Sequence, residues 1–292
     1  MNVMQQTAAG QAALWNGPAG RAWVESQAAL DRMFRPLQDL LLDIVAAGSD
    51  ARVLDVGCGT GSTTLALARR LGAAGSCIGV DISAPMIALA RSRAGDAPEG
   101  AREGTREGAR ARFLCADAGG YGFAPADFDA IVSRMGVMFF ADPVQAFANL
   151  RRAARDDAEL RFIAWRQPVE NPFMTTAERA AAPLLPALPA RRPDAPGQFA
   201  FADRRRVGGI LADSGWAGVG IEPVDLACSF AEADLVSYFT RLGPLGLALD
   251  AADAATRRRI VATVRAAFEP YVHGDEVRFT AACWKVSARA AA

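Results

Sequence analysis

The densest chemistry in the chain lies in seven residues, Asp55-Val56-Gly57-Cys58-Gly59-Thr60-Gly61. Glycines at 57, 59 and 61 let the backbone turn sharply and approach a ligand closely, just where a helix begins. A dinucleotide fingerprint, G-x-G-x-x-G, needs glycine at 62, and that residue is Ser62. A P-loop needs lysine after its last glycine, and the only lysine in the chain is Lys285. Two further aspartates, Asp81 and Asp117, follow short apolar runs. Metal and relay chemistry are poorly supplied. His273 is the only histidine, and the five cysteines (Cys58, Cys77, Cys115, Cys228, Cys283) form no C-x-x-C pair, so neither a zinc site nor a disulfide framework fits.

The elements that must position these residues alternate. Arg52–Val56 is a short apolar run before glycines, the mark of a buried parallel strand. Helices are predicted over Ser62–Leu71, Ala84–Arg93 and Pro143–Ala154, and strands over Cys77–Val80, Phe113–Cys115, Ala130–Ser133 and Leu160–Trp165. Such alternation means an α/β fold with a parallel sheet and helices on both faces. Before it, apolar residues from Ala28 to Val45 recur at three-to-four spacing and predict one helix ended by Gly48. After it come a helix over Arg204–Leu211, a strand over Val219–Leu226, helical pattern over Leu235–Phe268 and a last strand over Val277–Val286. Residues 95–111 have no large apolar side chain and read as a surface loop of disordered type. Residues 183–197, rich in Pro, Ala and Arg, read as a connector.

Composition narrows the class. Of 292 residues, 51% are apolar, enough for a sizeable core. Lys+Arg and Asp+Glu balance at 32 each, so no basic surplus points to a nucleic-acid partner. No uncharged apolar run approaches the roughly 18 residues needed to span a bilayer. The first positive charge is Arg21, which does not suit a signal peptide. The expectation is a cytoplasmic protein, with a homodimer compatible with the sequence.

Val53–Gly61 (VLDVGCGTG) resembles the first signature of the class I S-adenosylmethionine-dependent methyltransferases, and the resemblance continues at Gly79–Ser83, Cys115–Ala118 and Phe128–Ser133. Arg134–Pro143 and Phe199–Asp203 are similar to the small-molecule branch that acts on quinones and natural products. The resemblance implies a Rossmann-like, seven-stranded, mostly parallel sheet whose last strand is antiparallel, with S-adenosylmethionine as cofactor. The flanking helical pattern, too long for plain connections, reads as an N-terminal helical lid over 1–50 and helical caps at about 166–200 and 230–272. Asp55 would attract the ammonium, and the backbone at Gly57 and Gly59 would lie against the methionine part. Asp81, 20 residues beyond Gly61, would bind both ribose hydroxyls, with Ile82 against the adenine. Asp117 would accept from the adenine amino group while the Ala118 amide donates to the ring. Ser133 and Arg134 would meet the methionyl group through their backbone. One departure is visible: where the family has an Arg-Pro-Gly-Gly turn, this chain has Arg155-Asp156-Asp157-Ala158.

The methyl acceptor, a small and aromatic or apolar molecule on this reading, would lie over the carboxyl ends of the strands. Candidate walls are Trp15, Trp23, Met135, Met138, Phe139, Phe173 and Phe199. Leu14–Trp23 breaks a helix at Gly17 and Pro18 between two tryptophans and reads as a hinge. The Arg pair at 191–192 reads as solvated charge. No catalytic residue is essential on this reading, with His273 the one candidate base. A non-catalytic cofactor-binding scaffold of the same fold is the alternative. DNA-base methylation is disfavoured, because Ser133-Arg134-Met135-Gly136 stands where its four-residue signature belongs.

Overall fold

The computed structural model describes residues 3–95, 110–185, 195–249 and 252–291. Four short helices come first: α1 (Val3–Asn16), α2 (Pro18–Glu25), α3 (Gln27–Met33) and α4 (Arg35–Leu42). Pro18 sits in the first turn of α2, where its missing N–H has no helical partner to lose. The apolar repeat from Ala28 to Val45 does not form the single helix its spacing predicts. It bends at Phe34, because Pro36 offers no N–H to the preceding turn and fits only at the start of a new helix. One apolar side survives the bend, burying Leu30, Met33, Leu37 and Leu41.

The alternating region follows the expected order: β1 (Arg52–Val56), α5 (Ser62–Arg70), β2 (Ser76–Asp81), α6 (Ala84–Ala94), β3 (Ala111–Cys115), β4 (Phe128–Arg134), α7 (Pro143–Ala153) and β5 (Ala154–Trp165). Then come α8 (Pro172–Ala181), α9 (Arg204–Asp213), β6 (Trp216–Ala231), α10 (Leu235–Arg241), α11 (Gly243–Leu249), α12 (Ala254–Ala267), β7 (Val272–His273) and β8 (Glu276–Ala290). The sheet order is β3-β2-β1-β4-β5-β8-β6. Strands β1 to β5 are parallel to their neighbours among themselves, and β8 is antiparallel to both β5 and β6.

Two details correct the expectation. The sheet has eight strands rather than seven, because Gly274 and Asp275 close a tight hairpin that pairs the two-residue β7 with β8. And β5 starts at Ala154, taking in Arg155–Ala158, where a turn was expected. Asp157 adopts the left-handed region there, with φ of 62°, in the segment where the family has glycines.

Both faces of the sheet are covered. Val53, Ala130 and Val132 point into one core with Leu67 of α5 and Ile87 of α6. Leu54, Val56 and Ile131 point into the other with Leu37, Leu41, Phe147 and Leu150. Successive strand residues thus serve opposite cores, as the pleat requires. Among the described residues no helix is long and apolar enough to cross a membrane. Most of the expected loop at 95–111, and Arg191 and Arg192 in the connector, lie outside the described residues.

Candidate functional site

The sheet order sets the carboxyl ends of β2, β1 and β4 side by side, and the loops that leave them cross backbone on backbone. Gly57 has φ of 67°, and a Cβ there would stand 2.6 Å from the Cα of Gly136. A Cβ at Gly136 would in turn stand 2.6 Å from the carbonyl oxygen of Val56. Neither position accepts a side chain. Met135, with φ of 64°, makes the turn that brings Gly136 to the crossing. Ser133 pins the crossing from below: its buried Oγ donates to Val56 O at 2.7 Å and accepts from the amides of Gly136 and Val137 at 3.1 and 3.2 Å. Its hydroxyl is therefore fully used, and only its backbone is left for a ligand.

Two carboxylates flank the crossing. Asp81, at the end of β2, accepts from the amides of Gly59 at 2.9 Å and Ser83 at 2.8 Å, one on each oxygen. Burial nevertheless pushes its pKa above the ordinary value, against the pull of those amides. Asp55, in β1, accepts from the Thr64 hydroxyl at 2.6 Å through one oxygen. The other is buried with no hydrogen-bond partner. Burial lifts Asp55 to about 6, a rise opposed by the Thr64 bond and the Arg134 charge and reinforced by Asp81. Arg134 donates to Ser62 Oγ at 2.8 Å and Phe34 O at 3.3 Å, so it joins the β4 loop to the start of α5 and to the N-terminal helices. Burial draws its pKa down, against the charges of Asp31 and Asp55.

The other expected cofactor contacts stand at the same edge. Ile82 is half-buried, and its carbonyl accepts from Asn16 Nδ2 at 3.0 Å. Asp117 is exposed after β3, with its carboxylate on the amide of Gly119 at 2.9 Å, and Ala118 is buried beneath it. These residues fit S-adenosylmethionine. A buried carboxylate with an orphaned oxygen suits a cationic donor, and Gly59, where a Cβ would meet nothing nearer than Met86 Sδ at 3.7 Å, leaves room for the methionine part. A second carboxylate on the neighbouring strand suits a diol.

The aromatic candidates separate into two groups. Trp15 packs edge-on against Trp23, with ring centroids 6.0 Å apart, and against Phe139 at 5.1 Å. These three are partly buried, as is Met135 in the loop after β4. Phe173 belongs to another cluster: it stacks on Phe279 at 4.0 Å and touches Phe230, Tyr238, Phe268 and Tyr271. It is 2% exposed, and Met138 is buried too, so neither ring nor thioether offers a free surface here. Phe199 is half-buried against the main core. His273 is exposed on β7, in register with Glu276 and beside β8. Glu276 lies seven residues along β8 from Cys283, the partner of Trp165 at the end of β5, a displacement of about 23 Å. A cavity of about 130 Å³ lies between α3 and α10, lined by Ser26, Ala29, Met33, Phe230 and Tyr238 among others. The helical repeat puts Asp31 on the opposite side of α3.

Sequence reasoning missed three participants. Gly136 lies inside the quoted stretch Arg134–Pro143, yet nothing local says that it meets Gly57. Asn16 lies inside the expected hinge, where its side chain bonds the loop after β2. Asp31 pairs with Arg93 at 2.5 Å, and Arg93 also donates to Thr60 O in the glycine loop at 2.7 Å. Only Asn16 carried a signal, as the residue before Gly17-Pro18.

A methyltransferase domain family matches residues 53–157. The chain is 32% identical over 127 residues to nocamycin O-methyltransferase of Saccharothrix syringae, covering 44% of this chain and 42% of that one. It is 26% identical over 188 residues to demethylmenaquinone methyltransferase of Renibacterium salmoninarum, covering 62% and 72%. The first match thus takes in less than half of its relative's length. In structure the chain is similar to the YcgJ protein of Bacillus subtilis, with a TM-score of 0.54, 17% identity and coverage of 87% and 98%, a likeness of fold.

Proposed function

We propose that this chain, which matches a methyltransferase domain family over residues 53–157, is a class I S-adenosylmethionine-dependent methyltransferase that methylates a small aromatic or apolar molecule. The observation that carries the reading is the pair of buried carboxylates beside the glycine crossing, one of them with an oxygen that has no partner. The cofactor supplies a methyl group on a sulfonium, already joined to a good leaving group. The protein's part is to bind and orient. Asp55 holds the ammonium through its free oxygen, and Asp81 holds the ribose hydroxyls with lone pairs that the Gly59 and Ser83 amides leave over. Gly57 and Gly136 let the loops after β1 and β4 cross in backbone contact, which fixes the bed on which the methionine part lies. Orientation of this kind can supply roughly 7–11 kcal/mol of the barrier.

The acceptor's reacting atom belongs on the side of Trp15, Phe139 and Met135. A helix is roughly 10–12 Å across, and α3 stands between the glycine loop and the cavity at α10. An atom in that cavity is therefore out of reach of the cofactor's methyl group. Relatives named for nocamycin and demethylmenaquinone support a small organic acceptor. The exposed His273, about 23 Å along β8 from the end of β5, is badly placed to take a proton. Catalysis then rests on positioning, under the lid formed by the N-terminal helices.

The experiment is transfer of label from methyl-labelled S-adenosylmethionine to a metabolite extract and a panel of phenols and quinols. Labelled product supports the enzyme. Binding without transfer to any acceptor would favour the scaffold reading. Asp81→Ala removes charge-assisted bonds worth about 1.5–3 kcal/mol each, so cofactor affinity should fall at least about tenfold.

A further inference from the structure

We propose that Asn16 is a positioning residue for the cofactor, tying the N-terminal helices to the loop that follows Asp81 so that this carboxylate binds fully only with α1 docked. The inference rests on the S-adenosylmethionine reading of the site.

Asn16 is the last residue of α1 and is exposed. Its side chain is nevertheless fully committed. Nδ2 donates to Ala12 O in its own helix at 2.9 Å and to Ile82 O at 3.0 Å. Oδ1 accepts from the amide of Ala84 at 2.8 Å. One carboxamide thus meets both a carbonyl and an amide of the β2–α6 loop, as a neighbouring strand would. Between these two bonds, Ser83 Oγ donates to the carbonyl of Trp15 at 2.6 Å. Gly20 closes the joint: a Cβ there would stand 1.9 Å from Trp15 O and 2.8 Å from Ser83 Oγ.

The consequence runs through Ser83. Its amide holds one oxygen of Asp81, so residues 82–84 set the orientation of the carboxylate that meets the ribose. Trp15 and Asn16 grip all three of those residues from 66 to 68 positions upstream. A second tie acts on the other cofactor loop, where Asp31 of α3 pairs with Arg93 while Arg93 holds Thr60 O. The N-terminal helices are therefore fastened to both loops that would contain the adenosine and methionine parts. Loop and helix are held in place together, and the Trp15 ring, packed on Phe139, moves with them.

The test uses the full chain with S-adenosylhomocysteine as probe, by calorimetry and limited proteolysis, on the wild type, Asn16→Ala and Asn16→Asp. Asn16→Asp keeps the acceptor for Ala84, loses the donor to Ile82 and adds a negative charge beside the Asp81 loop. Both variants should bind about tenfold more weakly, the loss of one to two hydrogen bonds. The probe should slow cleavage within α1 and α2 of the wild type and have little effect on the variants, a coupling that a merely structural role would not create. If Asn16→Ala fails to fold, Asn16→Asp answers in its place. Wild-type affinity and wild-type protection in a folded variant would overturn the proposal. Failure of the wild type itself to bind would instead overturn the reading of the site, and this inference with it.

Discussion

The two ends of the sheet are built from different materials. At β1, β2 and β4 the contacts are between backbones: Gly57 against Gly136, the Gly59 and Ser83 amides on Asp81, and Ser133 across two loops. At β6 and β8, with α8, α10 and α12, the contacts are between rings: Phe173 on Phe279, Phe239 on Phe268, and Phe230 beside Tyr238. A backbone crossing tolerates no added atom, because neither partner can rotate away. A ring cluster is non-directional and answers mainly to volume. The first end is where a ligand can be gripped in one geometry, and the second supplies bulk stability. The comparison can be broken by substitutions whose effects on affinity and stability fall on the wrong sides.

Gly57→Ala has the largest expected effect. It puts a Cβ 2.6 Å from backbone at a φ of 67°. Strain of about 1–3 kcal/mol for the dihedral adds to overpacking of about 1–3 kcal/mol. Urea denaturation should show that loss, and calorimetry should show no cofactor binding even where the protein stays folded. Phe173→Ala is the counterpart at the other end. Loss of a buried ring costs about 3–5 kcal/mol, yet the variant, once folded, should bind the cofactor with unchanged affinity. A large affinity loss there would mean that the ring cluster shapes the site after all.

The same contrast explains what was legible in the sequence. The glycine loop and the alternating strands are local: Gly57, Gly59 and Gly61 with Asp55 need no distant partner to be recognised, and Asp81 lies at a fixed interval beyond them. The mostly parallel sheet with an antiparallel last strand follows from the alternation and the resemblance. What escaped are contacts whose two halves are far apart in the chain, such as Asn16 with Ile82 or Gly136 with Gly57. Phe173 escaped for another reason, since an aromatic residue reads the same whether it lines a pocket or fills a core. The bend at Phe34 was written in Pro36, but the apolar repeat runs across it and hides it. The short β7 depends on a two-residue turn at Gly274-Asp275, too brief for any periodicity.

Asp55 tests whether the cofactor end trades stability for binding. Burial lifts its folded pKa to about 6, above the ordinary carboxylate value, so the native state prefers the protonated acid. That preference stabilises the fold below about pH 4 and is lost as pH rises to 6, leaving the charged form at a disadvantage of up to about 3 kcal/mol above it. Asp55→Asn is neutral at every pH and can still accept from Thr64. The variant should therefore be more stable than the wild type at pH 8, with the difference shrinking towards pH 4, while its cofactor affinity falls. Thermal melts across that range, with and without S-adenosylhomocysteine, read both. A variant less stable than the wild type at pH 8 would show that the second oxygen of Asp55 already has a partner in the free protein.

The smallest effect sharpens the comparison from the other side, because it concerns a glycine that no crossing needs. Gly209 lies inside α9, is exposed, and has nothing within 4 Å of where a Cβ would stand. Its dihedrals are helical, so alanine meets no strain there. Glycine in a helix interior is less favourable than alanine by roughly 0.5–1 kcal/mol, through the greater freedom it has in the unfolded chain. Gly209→Ala should therefore stabilise by about that amount, seen as a small rise in the urea midpoint with an unchanged slope. Cofactor affinity should stay the same. The same substitution that destroys the crossing at Gly57 would then strengthen the fold at Gly209, which separates glycine required by a close backbone crossing from glycine that the fold merely tolerates. A destabilised Gly209→Ala would place an unseen close approach on α9 and remove the distinction.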